Sequence, residues 1–338
     1  MGIMYNFQII ESLSLDKFPN LYICLIKKFS KNIFYININL IYSTIKYKKM
    51  KIIFLIILIG EIMNKNSNIE KNKKNIFLSI YENLVLNYPK VDVKPEDFIY
   101  HLSSESENYK QACLIISITI IFGLLVYIIP IYLTEKDHIG PYPLWLHNFY
   151  CAADFMGIWV FLEAYKKHHF FFFAILSLGE ATWVLMELFC LQRSIKYESD
   201  LYWKKGTSLG KKVLDILIQI IIFYSGLNLL RFELNDTVMW KFWIFTQVLI
   251  TIVPGLELEK RGYRNGNNIY LHIVLICVAL CSFNPWCNMW KEISPQYFSL
   301  EANPWYYIIG FVSFVMSLRG LFIYLNLPEV EINKIKKN

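Results

Sequence analysis

From about residue 111 onward, apolar blocks of roughly twenty residues alternate with short polar breaks. Twenty helical residues at about 1.5 Å each cross a hydrocarbon core of about 30 Å. The blocks lie at about 111–133, 143–165, 169–191, 212–230, 237–254, 268–290 and 305–327. They predict an all-α, polytopic membrane protein, a seven-transmembrane-helix bundle. Turn-forming residues punctuate them: Gly140-Pro141-Tyr142-Pro143, Pro254-Gly255 and Asn303-Pro304. Tyr142, Trp145, Tyr202, Trp203, Trp240, Trp290, Trp305 and Tyr306 sit near block ends, as interfacial aromatic belts do. No internal repeat is visible.

The pattern before residue 111 is different. Residues 1–75 are dense in Lys, Asn, Ile and Tyr, and their apolar run at 52–60 is too short to span. Lys48, Lys49 and Lys51 precede that run as in a signal peptide, but no small-residue cleavage site follows. Gly60-Glu61-Ile62 can be encoded as a ribosome-binding site just ahead of Met63, so a native start at Met63 is expected. Residues 1–62 are then a non-native upstream or disordered segment. Residues 63–109 form a juxtamembrane segment. It is amphipathic at 76–88, with Ile76, Leu78, Ile80, Leu84 and Leu86, and acidic at 92–108. Residues 110–328 are the membrane domain and 329–338 a basic tail.

Composition supports this class. Hydrophobic residues make up 55% of the 338 residues and charged residues 18%, where a soluble domain has about 25%. The net charge of +7 comes from lysines and arginines between the blocks and in the N-terminal tract, which argues against a nucleic-acid partner. One set of loops with the C-terminal tail holds Arg193, Lys196, Lys204, Lys205, Lys260, Arg261, Arg264, Lys334, Lys336 and Lys337. The opposite set holds Lys166, Lys167, Arg231 and Lys291. The asymmetry predicts a multi-pass protein of the cell membrane with a cytoplasmic C-terminus. The seven cysteines include no CxxC pair, and neither a disulfide framework nor a zinc site is expected.

Ionisable residues inside the blocks are costly, by about 2.5–3.5 kcal/mol or more at the bilayer centre. The second block carries His147, Asp154 and Glu163. The third carries Glu180 and Glu187, the fourth Asp215, the sixth His272 and the seventh Arg319. His147 and Asp154 are seven apart, as are Glu180 and Glu187, so each pair shares a helix face. Trp183 lies on the stripe between the glutamates. Asp154 and Glu180 fall near mid-membrane. Glu187, Asp215, His147, His272 and Arg319 fall in the cytoplasmic half, so one cavity opening to the cytoplasm is expected to gather them. Clustered carboxylates repel one another, and one of them is expected to hold a proton, as a general acid must. In the bland alternative Arg319 merely neutralises a carboxylate, and Glu163, Lys166, Lys167, His168 and His169 are solvated at the interface. His147, Asp154, Glu180 and Glu187 are compatible with a metal by ligand type, but neither metal nor cofactor is the preferred reading. The last block lacks a central lysine, and no Walker A loop, HExxH helix or GxSxG elbow occurs.

Three segments carry a family resemblance: Trp183-Val184-Leu185-Met186-Glu187, Val213-Leu214-Asp215 with the apolar run to Tyr224, and Arg261-Gly262-Tyr263-Arg264-Asn265-Gly266-Asn267-Asn268. With them the chain resembles the integral-membrane terpene cyclases of fungal meroterpenoid and indole-diterpene pathways and their bacterial relatives. The resemblance covers about two-thirds of the chain and implies metal-free, acid-initiated cyclisation of a lipophilic isoprenoid. Glu187 would then be the acid, and Trp183, Trp159 and Tyr224 the aromatic stabilisers of cations. The family's last-span aspartate is missing: the stretch reads Val315-Met316-Ser317-Leu318-Arg319. Glu180 and Asp154 are the substitutes, with Asp215 and Arg319 setting their protonation and orientation. Two rival classes remain, a proton-linked transporter of a small hydrophobic compound and a non-catalytic sensor or accessory subunit. In the last, a pair such as Glu180 with Arg319 would serve assembly.

Overall fold

The computed structural model describes residues 91–329. The expected start at Met63, the run at 52–60, the amphipathic stretch at 76–88 and most of the basic tail lie outside the described residues. Those described form only helices, turns and irregular links. The helices are α1 (Pro95–His101), α2 (Tyr109–Asp137), α3 (Leu144–His168), α4 (Phe171–Tyr197), α5 (Ser199–Tyr202), α6 (Leu209–Glu233), α7 (Trp243–Arg261), α8 (Ile269–Phe283), α9 (Met289–Ile293), α10 (Pro295–Phe298) and α11 (Pro304–Asn326).

Each predicted block falls on a long helix. Four of them, α2, α4, α6 and α11, are long and apolar enough to cross a membrane. Their apolar side chains face outward: Leu114, Ile121, Leu178, Leu185, Ile221, Leu229, Phe311 and Phe322 are all exposed. A water-soluble bundle hides such residues, whereas a bilayer solvates them. α3 has the opposite pattern. His147, Asn148 and Asp154 interrupt its apolar sequence, and 15 of its 25 residues are buried. It is the interior helix, packed on α4 along its length and on α6.

Two block boundaries move. The block at 268–290 breaks early: α8 ends at Phe283, ahead of Asn284-Pro285, and Asn288 caps α9 by accepting from the Lys291 N–H at 2.9 Å. The block at 237–254 begins instead at Trp243 and runs on to Arg261. Pro254-Gly255 is therefore not a loop. Membrane helices tolerate such residues where neighbours pack against them, and a Cβ on Gly255 would sit 3.0 Å from Gly320 Cα. The glycine serves close approach of α7 to α11, as small residues do between membrane helices. A stricter case is Gly310, where a Cβ would lie 2.3 Å from Phe283 Cβ. Gly310→Ala is expected to destabilise the bundle by about 1–3 kcal/mol, seen as a lowered melting point in lipid nanodiscs.

The aromatic belt is also partly redrawn. Trp240, Trp290 and Tyr306 are buried rather than interfacial. They build a cluster at one end of the bundle, with Trp240 and Trp290 ring centroids 5.4 Å apart and the Trp290 Nε1–H donating to the Trp240 carbonyl at 2.7 Å. Phe98 of α1 completes it, edge-on to Trp240 at 4.7 Å. The polar segment at 92–108 is thus anchored by one phenylalanine, helped by an ion pair between Asp92 and the buried Lys241.

Nearby, Asp236 accepts from the Phe242 N–H at 2.7 Å. Burial pushes its carboxyl up to about 6, against the lowering effect of Phe242 and Lys241. The native carboxyl then holds its proton more tightly than the unfolded one, whose pKa is about 3.9. Its stabilising contribution is complete below the unfolded value and is lost as pH rises through about 6. Asp236→Asn should flatten that slope, worth up to roughly 3 kcal/mol, in melts taken across the same pH range.

The opposite end is tied by loops. The Gly140 N–H donates to Glu198 Oε1 at 2.7 Å, Arg261 Nη2 to the Gly140 carbonyl at 2.7 Å, and the Gly266 N–H to Asp137 Oδ2 at 2.7 Å. Gly266 takes φ +74°, and a Cβ there would meet the Ile139 carbonyl oxygen at 2.6 Å. Only glycine fits this position.

Candidate functional site

The α3–α4 interface creates the central feature. Gly157 of α3 has no side chain, and the Glu180 side chain of α4 occupies that space: a Cβ on Gly157 would lie 2.7 Å from Glu180 Cδ. This presses the Glu180 carboxyl beside Asp154, one helical turn earlier on α3. Glu180 is 1% exposed, and neither of its oxygens makes a hydrogen bond of normal geometry. Asp154 Oδ2 accepts from the Tyr127 hydroxyl of α2 at 3.3 Å.

Both carboxyls line a cavity of about 240 Å³. Its walls are otherwise mostly apolar and aromatic, with Tyr127 and Gly123 from α2, Trp183 from α4, and Trp243 and Ile250 from α7, beside Thr246 and Gln247. The Tyr127 and Trp183 rings stack with centroids 6.4 Å apart. The exposed Ile175 and Thr182 of α4 face Ile120 and Leu124 of α2 across its rim. The cavity therefore reaches the apolar outer surface between α2 and α4.

The other expected residues disperse. Glu187 is buried, but its partner is His147, with Nδ1 2.6 Å from Glu187 Oε2, and neither residue lines the cavity. Asp215 is exposed on α6, where it accepts from Trp203 Nε1 at 3.1 Å and Gln219 Nε2 at 3.2 Å. Arg319 pairs with Glu259, at 2.5 and 2.6 Å to its two oxygens; it does not reach Glu180. His272 is buried against α11, its Nδ1 3.4 Å from where a Gly320 Cβ would lie, and its ring nitrogens make no hydrogen bond. Trp159 and Tyr224 line a separate groove between α3 and α6, with Glu163, Lys167 and Arg231.

Two expectations are corrected here. The carboxylates, imidazoles and guanidinium do not share one cavity, because α3 and α4 present their inner faces while Asp215 lies on an outward face and Arg319 turns to Glu259 of α7. The cavity also extends away from the basic loops, toward Phe172, Trp240 and Met289 near the α1 end. Sequence reading missed Tyr127 and Gly157. Tyr127 stood out only as a hydroxyl within an apolar block, and Gly157 as a glycine in mid-helix.

Among the described residues, His147, Glu187 and Cys190 bring possible metal-ligand atoms within 4.8 Å of one another. The donor set suits zinc by type. The 2.6 Å contact already satisfies the imidazole and carboxylate without an ion. The paired carboxyls of the cavity are therefore Asp154 and Glu180. Comparison of the chain with protein-family models, curated proteins and solved structures finds no match.

Proposed function

We propose that the chain is a seven-span membrane enzyme that protonates a lipophilic isoprenoid and lets it cyclise, in the manner of the terpene cyclases it resembles. The observation carrying this reading is the Asp154–Glu180 pair, buried in an aromatic-lined cavity with no Lys, Arg or His among the described residues that line it. Two carboxyls so placed share one proton, since like charges in an apolar site cannot both form cheaply. The protonated member donates to an epoxide oxygen or an alkene carbon. The faces of Tyr127, Trp183 and Trp243 attract the resulting cation. A carboxylate then removes a proton from carbon, so the product is an isomer of the substrate. α3, α7 and α8 complete the seven spans, with the basic loops cytoplasmic, and substrate comes from the bilayer between α2 and α4.

The test is a lipid-extract assay. Membranes containing the protein would be supplied with prenyl and epoxy-prenyl compounds and analysed by mass spectrometry. A product of unchanged mass and altered retention supports the reading; none across the panel, with folded protein, removes it.

A second reading, a proton-linked transporter of a hydrophobic compound, draws support from the ionisable groups that continue from the acid pair toward the basic loops. It predicts substrate-dependent proton uptake in proteoliposomes without chemical change of the substrate.

A further inference from the structure

Past the acid pair, a row of buried ionisable groups continues toward the basic loops. The Tyr127 hydroxyl, which donates to Asp154 at 3.3 Å, lies beside Glu187. Glu187 contacts His147 Nδ1 at 2.6 Å. Beyond His147, toward the loops, is Glu198, 3% exposed and close enough for the two to act on each other's charge. Glu198 accepts the Gly140 N–H at 2.7 Å, within the loop cluster held by Arg261.

The other titratable groups around this row include Tyr142, Tyr150, Cys151 and Cys190, and, beside Glu198, Tyr202 and Tyr263. The Tyr142 hydroxyl is committed to the Val126 carbonyl at 2.7 Å, and that of Tyr150 to the Thr246 carbonyl at 2.5 Å. The thiols are weak donors. Of Tyr127, Tyr142 and Tyr150, Tyr127 is thus the one whose hydroxyl donates to a carboxylate.

We infer that Glu198, His147, Glu187 and Tyr127 form a proton path joining the basic-loop end of the bundle to the Asp154–Glu180 pair. The path rests on the reading of that pair as a proton-holding acid. A proton on His147 passes from Nδ1 to Glu187 Oε2. Glu187 gives a proton to the Tyr127 oxygen as Tyr127 O–H gives its own to Asp154 Oδ2. One proton moves from His147 to Asp154 and no group is oxidised or reduced; rotation of the Tyr127 hydroxyl resets that residue, and His147 is reloaded from the Glu198 side. Burial raises the Glu198 carboxyl, which Gly140 and Arg261 oppose, so this group suits proton capture at the loop end. The lipid-facing cavity then need not admit water to reload the acid.

The experiment uses the full chain in liposomes, without substrate. Infrared spectroscopy would follow the protonated-carboxyl band, assigned by its loss in Asp154→Asn or Glu180→Gln, as buffer is exchanged for deuterium oxide. Tyr127→Phe, which keeps the ring, and His147→Gln, which keeps a donor to Glu187, should each slow the exchange by about tenfold or more. If one of these variants does not fold, the other decides. A band whose exchange is indifferent to the substitutions removes the path and leaves the acid pair standing. A wild-type protein with no band sensitive to Asp154→Asn or Glu180→Gln removes both.

Discussion

Glu180→Gln is expected to lower product formation by about 10²–10⁴-fold, the range over which a positioned general acid acts. Glutamine keeps the shape that fills the space above Gly157, so a lost proton rather than a lost fold would be reported. Asp154→Asn should be comparably damaging, because the two carboxyls act as one unit and such effects do not add. Glu187→Gln should cost less, because Glu187 does not line the cavity and its contact is with His147. Product analysis on the three variants would decide between the acid pair and Glu187. A loss confined to Glu187→Gln would move the acid back to the residue named by resemblance alone. Full activity in Glu180→Gln and Asp154→Asn would remove acid catalysis from the cavity.

His147→Ala is the second large effect, and it concerns stability. Glu187 and His147 are 1% and 5% exposed and in contact at 2.6 Å. Removing one partner of a buried charged pair leaves the other uncompensated, at a cost of about 3–5 kcal/mol. His147→Ala should therefore strongly lower the melting point in nanodiscs. The double change His147→Ala with Glu187→Leu should recover much of the loss, since an apolar replacement of both partners is often neutral. Additive losses in the double variant would show that the two residues act independently. The corresponding assembly expectation for Glu180 and Arg319 does not apply, because Arg319 is held by Glu259.

The apolar blocks were legible because a span's length and hydrophobicity are local properties of the chain. Each predicted block overlaps a helix, four of them long and apolar enough to cross a membrane. Their ends were less legible: Pro254-Gly255 has the composition of a turn, yet lies within α7 because α11 approaches there. Trp240 and Trp290 have the composition of an interfacial belt, yet both are buried, with Trp240 packed against Phe98 of α1 and Trp290 of α9.

Read locally, the chain is all-helical and membrane-associated, with His147 and Asp154 on one helix stripe and Glu180 and Glu187 on another. Helical periodicity places residues seven apart on one stripe, whatever surrounds them. Which of those groups meet follows from helix packing. Depth along a helix says how far a residue lies from each end, not which way the helix is turned. Rotation of α6 puts Asp215 on an outer face and that of α11 turns Arg319 to Glu259, while the missing side chain of Gly157 lets Glu180 reach Asp154. That choice depends on how each helix packs against its neighbours, and no single helix carries it in its own sequence.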